Sequence, residues 1–152
     1  SAPAQAQSLE RGAVMDAVRA LKAGQYLWAP QLAPAGPMLI IINRATQRLV
    51  VYRNGVPIAV STVSTGRAGR RTPTGVFTIL EKQVTHFSSL YDSAPMPFME
   101  RLTWDGVALH GGTLPGYPAS HGCIRLHPEN AAEFSALASQ YGLKNTKIVV
   151  SR

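Results

Sequence analysis

The sequence predicts a mainly β domain, a mixed sheet or sandwich with two peripheral helices, one near each end. Three observations carry that expectation. The 152 residues include 13 glycines and 11 prolines, many for a helical protein, because both residues punctuate turns. Short runs rich in Ile, Val and Leu recur between those turns, as strands do. Apolar residues at helical intervals occur near the two ends. The length fits one domain and is sufficient for a core without staples. A composition that is 45% hydrophobic and 15% charged predicts that most of the chain folds.

Taken in order, residues 1–7 are small and polar and are expected to be disordered, as a mature end left after signal removal or a linker would be. Residues 8–37 read as an N-terminal helix and linker. Leu9, Val14, Val18 and Leu21 fall near one face, Ser8 can cap the start and Gly24 can end it, which predicts a helix over 9–23. Pro30, Pro34, Gly36 and Pro37 then mark an extended crossing. Residues 38–152 form the main domain. Met38–Asn43 and Arg48–Arg53 read as strands, and residues 56–64 as another. Asn54-Gly55 between the last two predicts a hairpin, because a type I′ turn needs positive φ at both central positions.

A further strand is expected over 75–82, after a turn at Pro73-Thr74-Gly75. Residues 86–101 are irregular, since Pro95 and Pro97 forbid a normal helix or central strand. The segment is apolar nonetheless at Tyr91, Met96, Phe98 and Met99. A loop folded over a groove and a surface loop held down by its own aromatics have equal weight. Residues 102–110 return to β, and a tight loop follows through Gly111, Gly112, Pro115, Gly116 and Pro118. Pro128 suits a first helical turn. Ala131, Phe134, Leu137, Ala138 and Tyr141 make a core-packing stripe that Gly142 can close, and Lys147–Ser151 is a last strand.

The formal charge is +7 and the pI about 10.1, which favours anionic partners without choosing one. The densest basic cluster, Gly66-Arg67-Ala68-Gly69-Arg70-Arg71, is short, and a solvated surface explains it. No basic helix or array of aromatics alternating with Lys and Arg supports a nucleic-acid binder. The longest aliphatic run, Met38 to Ile42, is far too short to cross a bilayer, so no integral membrane segment is expected.

The chain has one cysteine, which excludes an internal disulfide. A lone cysteine in a β domain is usually a buried structural residue. Cys123 has neighbours that argue for a nucleophile. A catalytic thiol needs a base, backbone N–H donors for the oxyanion, and exposure to substrate. Gly122 allows close backbone approach. His110 ends a predicted strand, and the Pro/Gly loop after it can fold that strand end against Cys123. His121 shares a face with Cys123 if the segment is extended. His86 and His127 are not expected to be catalytic.

The run Ser120-His121-Gly122-Cys123-Ile124-Arg125, preceded by His110-Gly111, resembles the signature of the L,D-transpeptidase catalytic domain family. Ser64-Thr65-Gly66, Thr72-Pro73-Thr74-Gly75-Val76-Phe77 and Pro118-Ala119 resemble the same family in the same order, and the likeness covers residues 38–151. The resemblance implies an L,D-transpeptidase β-sandwich and a cysteine acyltransferase. Cys123 would attack the carbonyl of an L-configured centre in a peptidoglycan stem tetrapeptide and expel the terminal D-residue. An amine on a second stem would resolve the thioester into an L,D crosslink.

In that scheme His110 is the base, the Gly111 carbonyl orients it, and N–H groups around His121, Gly122 and Cys123 form the oxyanion hole. Arg125 would bind a peptide carboxylate, with Ser120, Tyr117 and Met96 as further peptide contacts. The alternative for Arg125 is a surface ion pair. Residues 86–99 would be a flap over the donor. A thiol pKa below the ordinary value is expected, from the histidine and nearby dipoles, as is acylation by carbapenems.

The loop from His110 to Ser120 is shorter than is usual in the family and resembles a compact branch. Whether an amine or water resolves the thioester stays open, the latter giving a carboxypeptidase or a hydrolase acting on a peptidoglycan-bound lipoprotein. The implied partners are donor and acceptor stems, the compartment is the periplasm or cell wall, no cofactor is needed, and a monomer is expected. Two other classes remain: a wall-polymer binder, supported only by charge, and a zinc site from His110, His121, Cys123 and His127, whose spacing matches no common zinc motif.

Overall fold

The computed structural model describes residues 14–88 and 94–152. The elements in chain order are helix α1 (residues 14–20), β1 (Tyr26–Trp28), β2 (Met38–Asn43), β3 (Arg48–Arg53), β4 (Val56–Thr62), β5 (Gly75–Phe77), β6 (Glu81–Gln83), β7 (Met99–Arg101), β8 (Ala108–Gly111), β9 (Ile124–Leu126), helix α2 (Pro128–Tyr141) and β10 (Lys147–Ser151). They make two mixed sheets. One has six strands in the order β1-β4-β3-β2-β10-β5, the other four in the order β6-β7-β8-β9. The mainly β class with a helix towards each end is the one the sequence predicts.

β2 and β3 pair antiparallel, and the β3–β4 hairpin turns at Asn54 and Gly55 with φ of 51° and 75°. Both values are positive, as the type I′ turn requires. β10 joins β2 in parallel, reached through α2. Along β2 the alternate residues Met38, Ile40 and Ile42 are buried. They share one core with Leu49, Ile58, Leu109, Ile124 and Phe134. α2 packs on β7 and β8. Its stripe of Ala131, Phe134, Leu137 and Ala138 is buried, and the Phe134 ring meets Trp28 at a centroid distance of 6.5 Å. Pro128 opens α2, the His127 ring caps it by accepting from the Glu129 N–H, and Gly142 ends it with φ of 106°.

Several boundaries differ from expectation. The strand expected over 75–82 is two strands in two sheets, β5 against β10 and β6 against β7. Between them the chain crosses from one sheet to the other with Ile79 buried in the core, so a continuous β-like run conceals a sheet change. The strand expected over 102–110 is confined to Ala108–Gly111. Residues 102–107 form a tight turn in which Leu102 and Thr103 donate to the Val107 carbonyl and Gly106 takes φ of 111°. Asp105-Gly106 is a turn pair, and its backbone preference prevails over the apolar residues around it. The expected helix over 9–23 is helical from 14 to 20 and has ended before Ala23; residues 1–13, with the expected cap Ser8 among them, lie outside the described residues. The crossing near Pro30 contains a short 3₁₀ turn, Pro30–Leu32.

Candidate active site

The site begins with the one parallel pair in the four-stranded sheet. Leu109 stands beside Ile124, and His110 beside Arg125. Side chains alternate along strands, so Leu109, Ile124 and Leu126 enter the core while His110 and Arg125 share the opposite face. Cys123 immediately precedes β9. It and His110 line one cavity of about 820 Å³, together with Met96, Met99, His121 and Arg125. The parallel pairing thus delivers two residues thirteen positions apart to one surface.

Glycine follows His110 for steric reasons. A Cβ on Gly111 would lie 3.1 Å from Pro128 Cα and 3.2 Å from the Pro97 ring, and one on Gly112 would lie 3.2 Å from Arg125 Cδ. The Gly111 N–H donates to the Pro97 carbonyl at 2.8 Å. That bond ties β8 to a narrow hairpin: Met96 donates to His86, Phe98 to Val84, and Ser88 to Ala94. His86, Ser88, Ala94, Pro95, Met96 and Pro97 line the cavity. The segment expected to be irregular over 86–101 is corrected at its end, where Met99–Arg101 pair on both sides as β7; of the rest, the described residues His86, Ser88 and 94–97 fold against the cavity, as a loop over a groove would. Met96 and Met99 are buried with Ala108, and Cys123 packs against them. Tyr91 lies outside the described residues.

The cysteine loop is held from inside and from its flank. The Ser120 hydroxyl donates to the Cys123 carbonyl at 2.5 Å and accepts from the Gly122 N–H at 3.1 Å. On the flank, Ser64 and Arg125 exchange backbone bonds, Ala119 and Ser120 donate to the Thr65 carbonyl, and Arg67 donates to Ser120. Ser120 is 2% exposed and borders the cavity. Its hydroxyl shapes the loop. Tyr117 is not among the cavity-lining residues; the residue is 61% exposed, and its carbonyl accepts from the Ser64 hydroxyl at 2.8 Å. Gly122 takes φ of 132°, a conformation that other residues adopt only with strain. Its N–H is already given to Ser120, so of the three donors expected for an oxyanion that one is committed elsewhere.

His110 Nδ1 lies 2.7 Å from the Gly111 carbonyl oxygen. A carbonyl can only accept, so Nδ1 carries the proton and Nε2 holds the lone pair when the ring is neutral. Burial holds the imidazole below its ordinary pKa; Arg125 and His86 push the same way, against the Gly111 bond. The ring is accordingly neutral near pH 7.

The thiol departs from expectation. Burial raises the Cys123 pKa above its ordinary value, outweighing the Ala108 backbone, Arg125 and Arg101, which favour the thiolate. The Sγ–H donates to the Gly106 carbonyl at 3.4 Å. Burial thus favours the neutral form of each group, and among the described residues no hydrogen bond joins the Cys123 thiol to the His110 ring. The depressed thiol pKa expected from the histidine does not hold.

Arg125 reaches the Thr113 carbonyl at 3.4 Å through Nη1 and makes no ion pair among the described residues. The surface ion-pair alternative is not realised there. Arg101 also lines the cavity, braced by Glu81 at 2.7 Å, and His86, set aside in the sequence, stands in the cavity wall with Nδ1 against Gln83 Oε1. Only the register of β6, β7 and the proline hairpin brings these two to the site, so local pattern carried no signal for them. Among the described residues no three His, Cys, Asp or Glu side chains group as a metal site. His127, one of the four candidate zinc ligands, is the cap of α2.

Residues 37–150 match the YkuD family, the L,D-transpeptidase catalytic domain. L,D-transpeptidase 1 of Mycobacterium tuberculosis is 34% identical over 108 residues, covering 60% of this chain and 43% of the relative. An L,D-transpeptidase structure from Mycobacterium smegmatis superimposes with a TM-score of 0.66 at 25% identity, covering 78% of this chain and 60% of that one. An L,D-transpeptidase in complex with imipenem superimposes with a TM-score of 0.66 at 25% identity, covering 75% of this chain and 58% of that one. The chain thus spans about half the length of the relatives it matches. Matched over most of its own length, and with that fold, the chain belongs to the L,D-transpeptidase catalytic domain family.

Proposed function

We propose that this domain forms L,D crosslinks between peptidoglycan stem peptides, or exchanges their terminal D-residue, through a thioester on Cys123. One observation carries the reading: His110 on β8 and Cys123, the residue before the adjacent parallel strand β9, line the same cavity, with the His110 proton on Nδ1. His110 Nε2 takes the thiol proton as Sγ attacks the carbonyl of the L-centre. The tetrahedral oxyanion collapses, the C–N bond breaks, and the amine of the terminal D-residue leaves with the proton from His110. The acceptor amine then attacks the thioester and loses its proton to His110. The C–S bond breaks, and the proton returns to the thiolate. Proton transfer within a neutral pair needs no resting thiolate, which fits the raised thiol pKa.

The neighbouring groups suit that course. Arg125 offers its fork of donors to a peptide carboxylate, Met96 presents an apolar wall, and His121 stands at the cavity edge. Residues 38–152 are the catalytic unit in this reading, and it acts in the periplasm or cell wall, where stems are found. Among the described residues no helix is long and apolar enough to cross a membrane. The imipenem complex of a relative supports acylation of Cys123 by a carbapenem.

The test is mass spectrometry of products from purified tetrapeptide muropeptides. Joined stems, or exchange with a supplied D-amino acid, establish transpeptidation. Loss of the terminal residue with only water added makes the domain a carboxypeptidase. Unchanged muropeptides refute the reading.

A further inference from the structure

Thr72 is fully buried, lies outside the cavity lining, and yet is bonded to the residue before the cysteine. Its hydroxyl donates to the Gly122 carbonyl at 2.7 Å and accepts from the Gly66 N–H at 3.0 Å. Its own carbonyl accepts from Arg44 Nη1 at 2.7 Å. The loop that carries it closes too tightly for a side chain at Gly66, where a Cβ would lie 2.0 Å from the Arg70 carbonyl oxygen and 2.7 Å from the Thr72 nitrogen. The hydroxyl is therefore a fixed anchor, with both its hydrogen-bonding roles in use.

The Gly122–Cys123 peptide is planar and trans, so its C=O and N–H point in opposite directions. A bond that pulls the Gly122 oxygen toward Thr72 turns the Cys123 N–H away from Thr72. No bond from the Cys123 N–H to another described residue is found. Gly122 has no Cβ to hold this peptide plane, and its φ of 132° lies where glycine moves freely. Ser120 holds the preceding N–H and the following carbonyl but neither atom of this plane.

We propose that Thr72 is a positioning residue that sets the Gly122–Cys123 peptide so that the Cys123 N–H meets the oxyanion formed on the substrate carbonyl. This rests on the thioester reading of Cys123 and adds a residue to it. In the absence of the hydroxyl the peptide can flip, which offers a carbonyl oxygen where the oxyanion needs a donor.

Two reactions of the same thiol separate this role from a structural one. Acylation by a carbapenem passes through an oxyanion; alkylation by iodoacetamide does not. In Thr72→Val, near-isosteric and without the hydroxyl, acylation is expected to slow by about 100-fold. Alkylation of Cys123 should stay within about twofold of wild type, and Thr72→Ser should recover acylation to within about tenfold. Equal acylation in Thr72→Val and wild type overturns the proposal. So does a parallel loss of both reactions, which marks a collapsed loop, or a Thr72→Ser variant as slow as Thr72→Val. If wild type itself is alkylated but never acylated, the thioester reading fails first, and the comparison with Thr72→Val shows it.

Discussion

The Nδ1 of His110 is bonded to the carbonyl of Gly111, its own chain neighbour, at 2.7 Å. No carboxylate supports this imidazole among the described residues. A carbonyl fixes the tautomer as an aspartate would but adds no full negative charge to stabilise an imidazolium. Burial then decides the protonation state, and the ring stays neutral at a lower pH than an ordinary histidine. Acylation of Cys123 by a carbapenem should therefore rise with pH through a value below 6.5, where His110 loses its proton, and be level by neutral pH. Single-turnover rates across pH check this. A rising limb centred well above 6.5 contradicts the assignment.

The thiol supplies an independent reading of the same site. Its pKa lies above the ordinary 9.0, so iodoacetamide should alkylate Cys123 slowly at neutral pH and faster only as pH climbs past that value. The rate profile of alkylation, located by peptide mapping, is the measurement. Fast alkylation at pH 6 would mean a preformed ion pair.

Arg125 lies beside His110 in register and makes one side-chain hydrogen bond among the described residues, to the Thr113 carbonyl at 3.4 Å. If it holds a stem carboxylate, Arg125→Ala should raise KM for tetrapeptide stems by about tenfold, the loss of one charge-assisted bond. Arg125→Lys should recover little of it, since the planar fork is lost. Unchanged KM in both variants removes Arg125 from the binding surface.

Beneath the site, Glu100 of β7 points into the core and is fully buried, and neither carboxyl oxygen makes a hydrogen bond of normal geometry. Burial pushes its pKa up to about 8, against smaller opposing effects of Lys82 and the Ser135 hydroxyl. In the unfolded chain the carboxyl returns to near 4.5. Between those values the folded state binds the proton more tightly. Stability should therefore fall as pH rises across this window, by at most about 1.4 kcal/mol per pH unit. Glu100→Gln should abolish that slope and be the more stable protein relative to wild type at pH 8.5 than at pH 5. Urea midpoints of both proteins at the two pH values decide it.

The hairpin turn gives a stability test remote from the chemistry. Gly55 has φ of 75°, and a Cβ there would meet nothing within 4 Å, so only backbone strain opposes a side chain. Gly55→Ala should cost about 1–2 kcal/mol in urea unfolding and leave acylation unchanged.

That turn was legible because its signal is local: two residues whose backbone preferences demand it. The stripe of α2, between Pro128 and Gly142, was legible for the same reason. The family motifs placed His110 and Cys123 in one site, and the β8–β9 register shows the means. Other features depend on where distant segments meet. The crossing at Ile79 reads as continuous strand because its residues are β-like on both sides of the sheet change. The turn at Asp105-Gly106 was hidden among strand-forming neighbours. The hydroxyl of Thr72 finds the Gly122 carbonyl 50 residues away, and no spacing announces that bond. The thiol pKa depends on how deeply the fold buries Cys123, which its flanking histidines could not indicate.

The central claim is a covalent acyl group on Cys123, and trapping it tests that claim most directly. The protein is incubated with disaccharide-tetrapeptide, quenched in acid and mapped by peptide mass spectrometry, beside Cys123→Ala. The expected result is an added mass on the Cys123 peptide equal to the disaccharide-tetrapeptide less its released terminal D-residue, labile to hydroxylamine, with no adduct and no product from the variant. Product formed by Cys123→Ala at the wild-type rate, or an adduct on another residue, contradicts it.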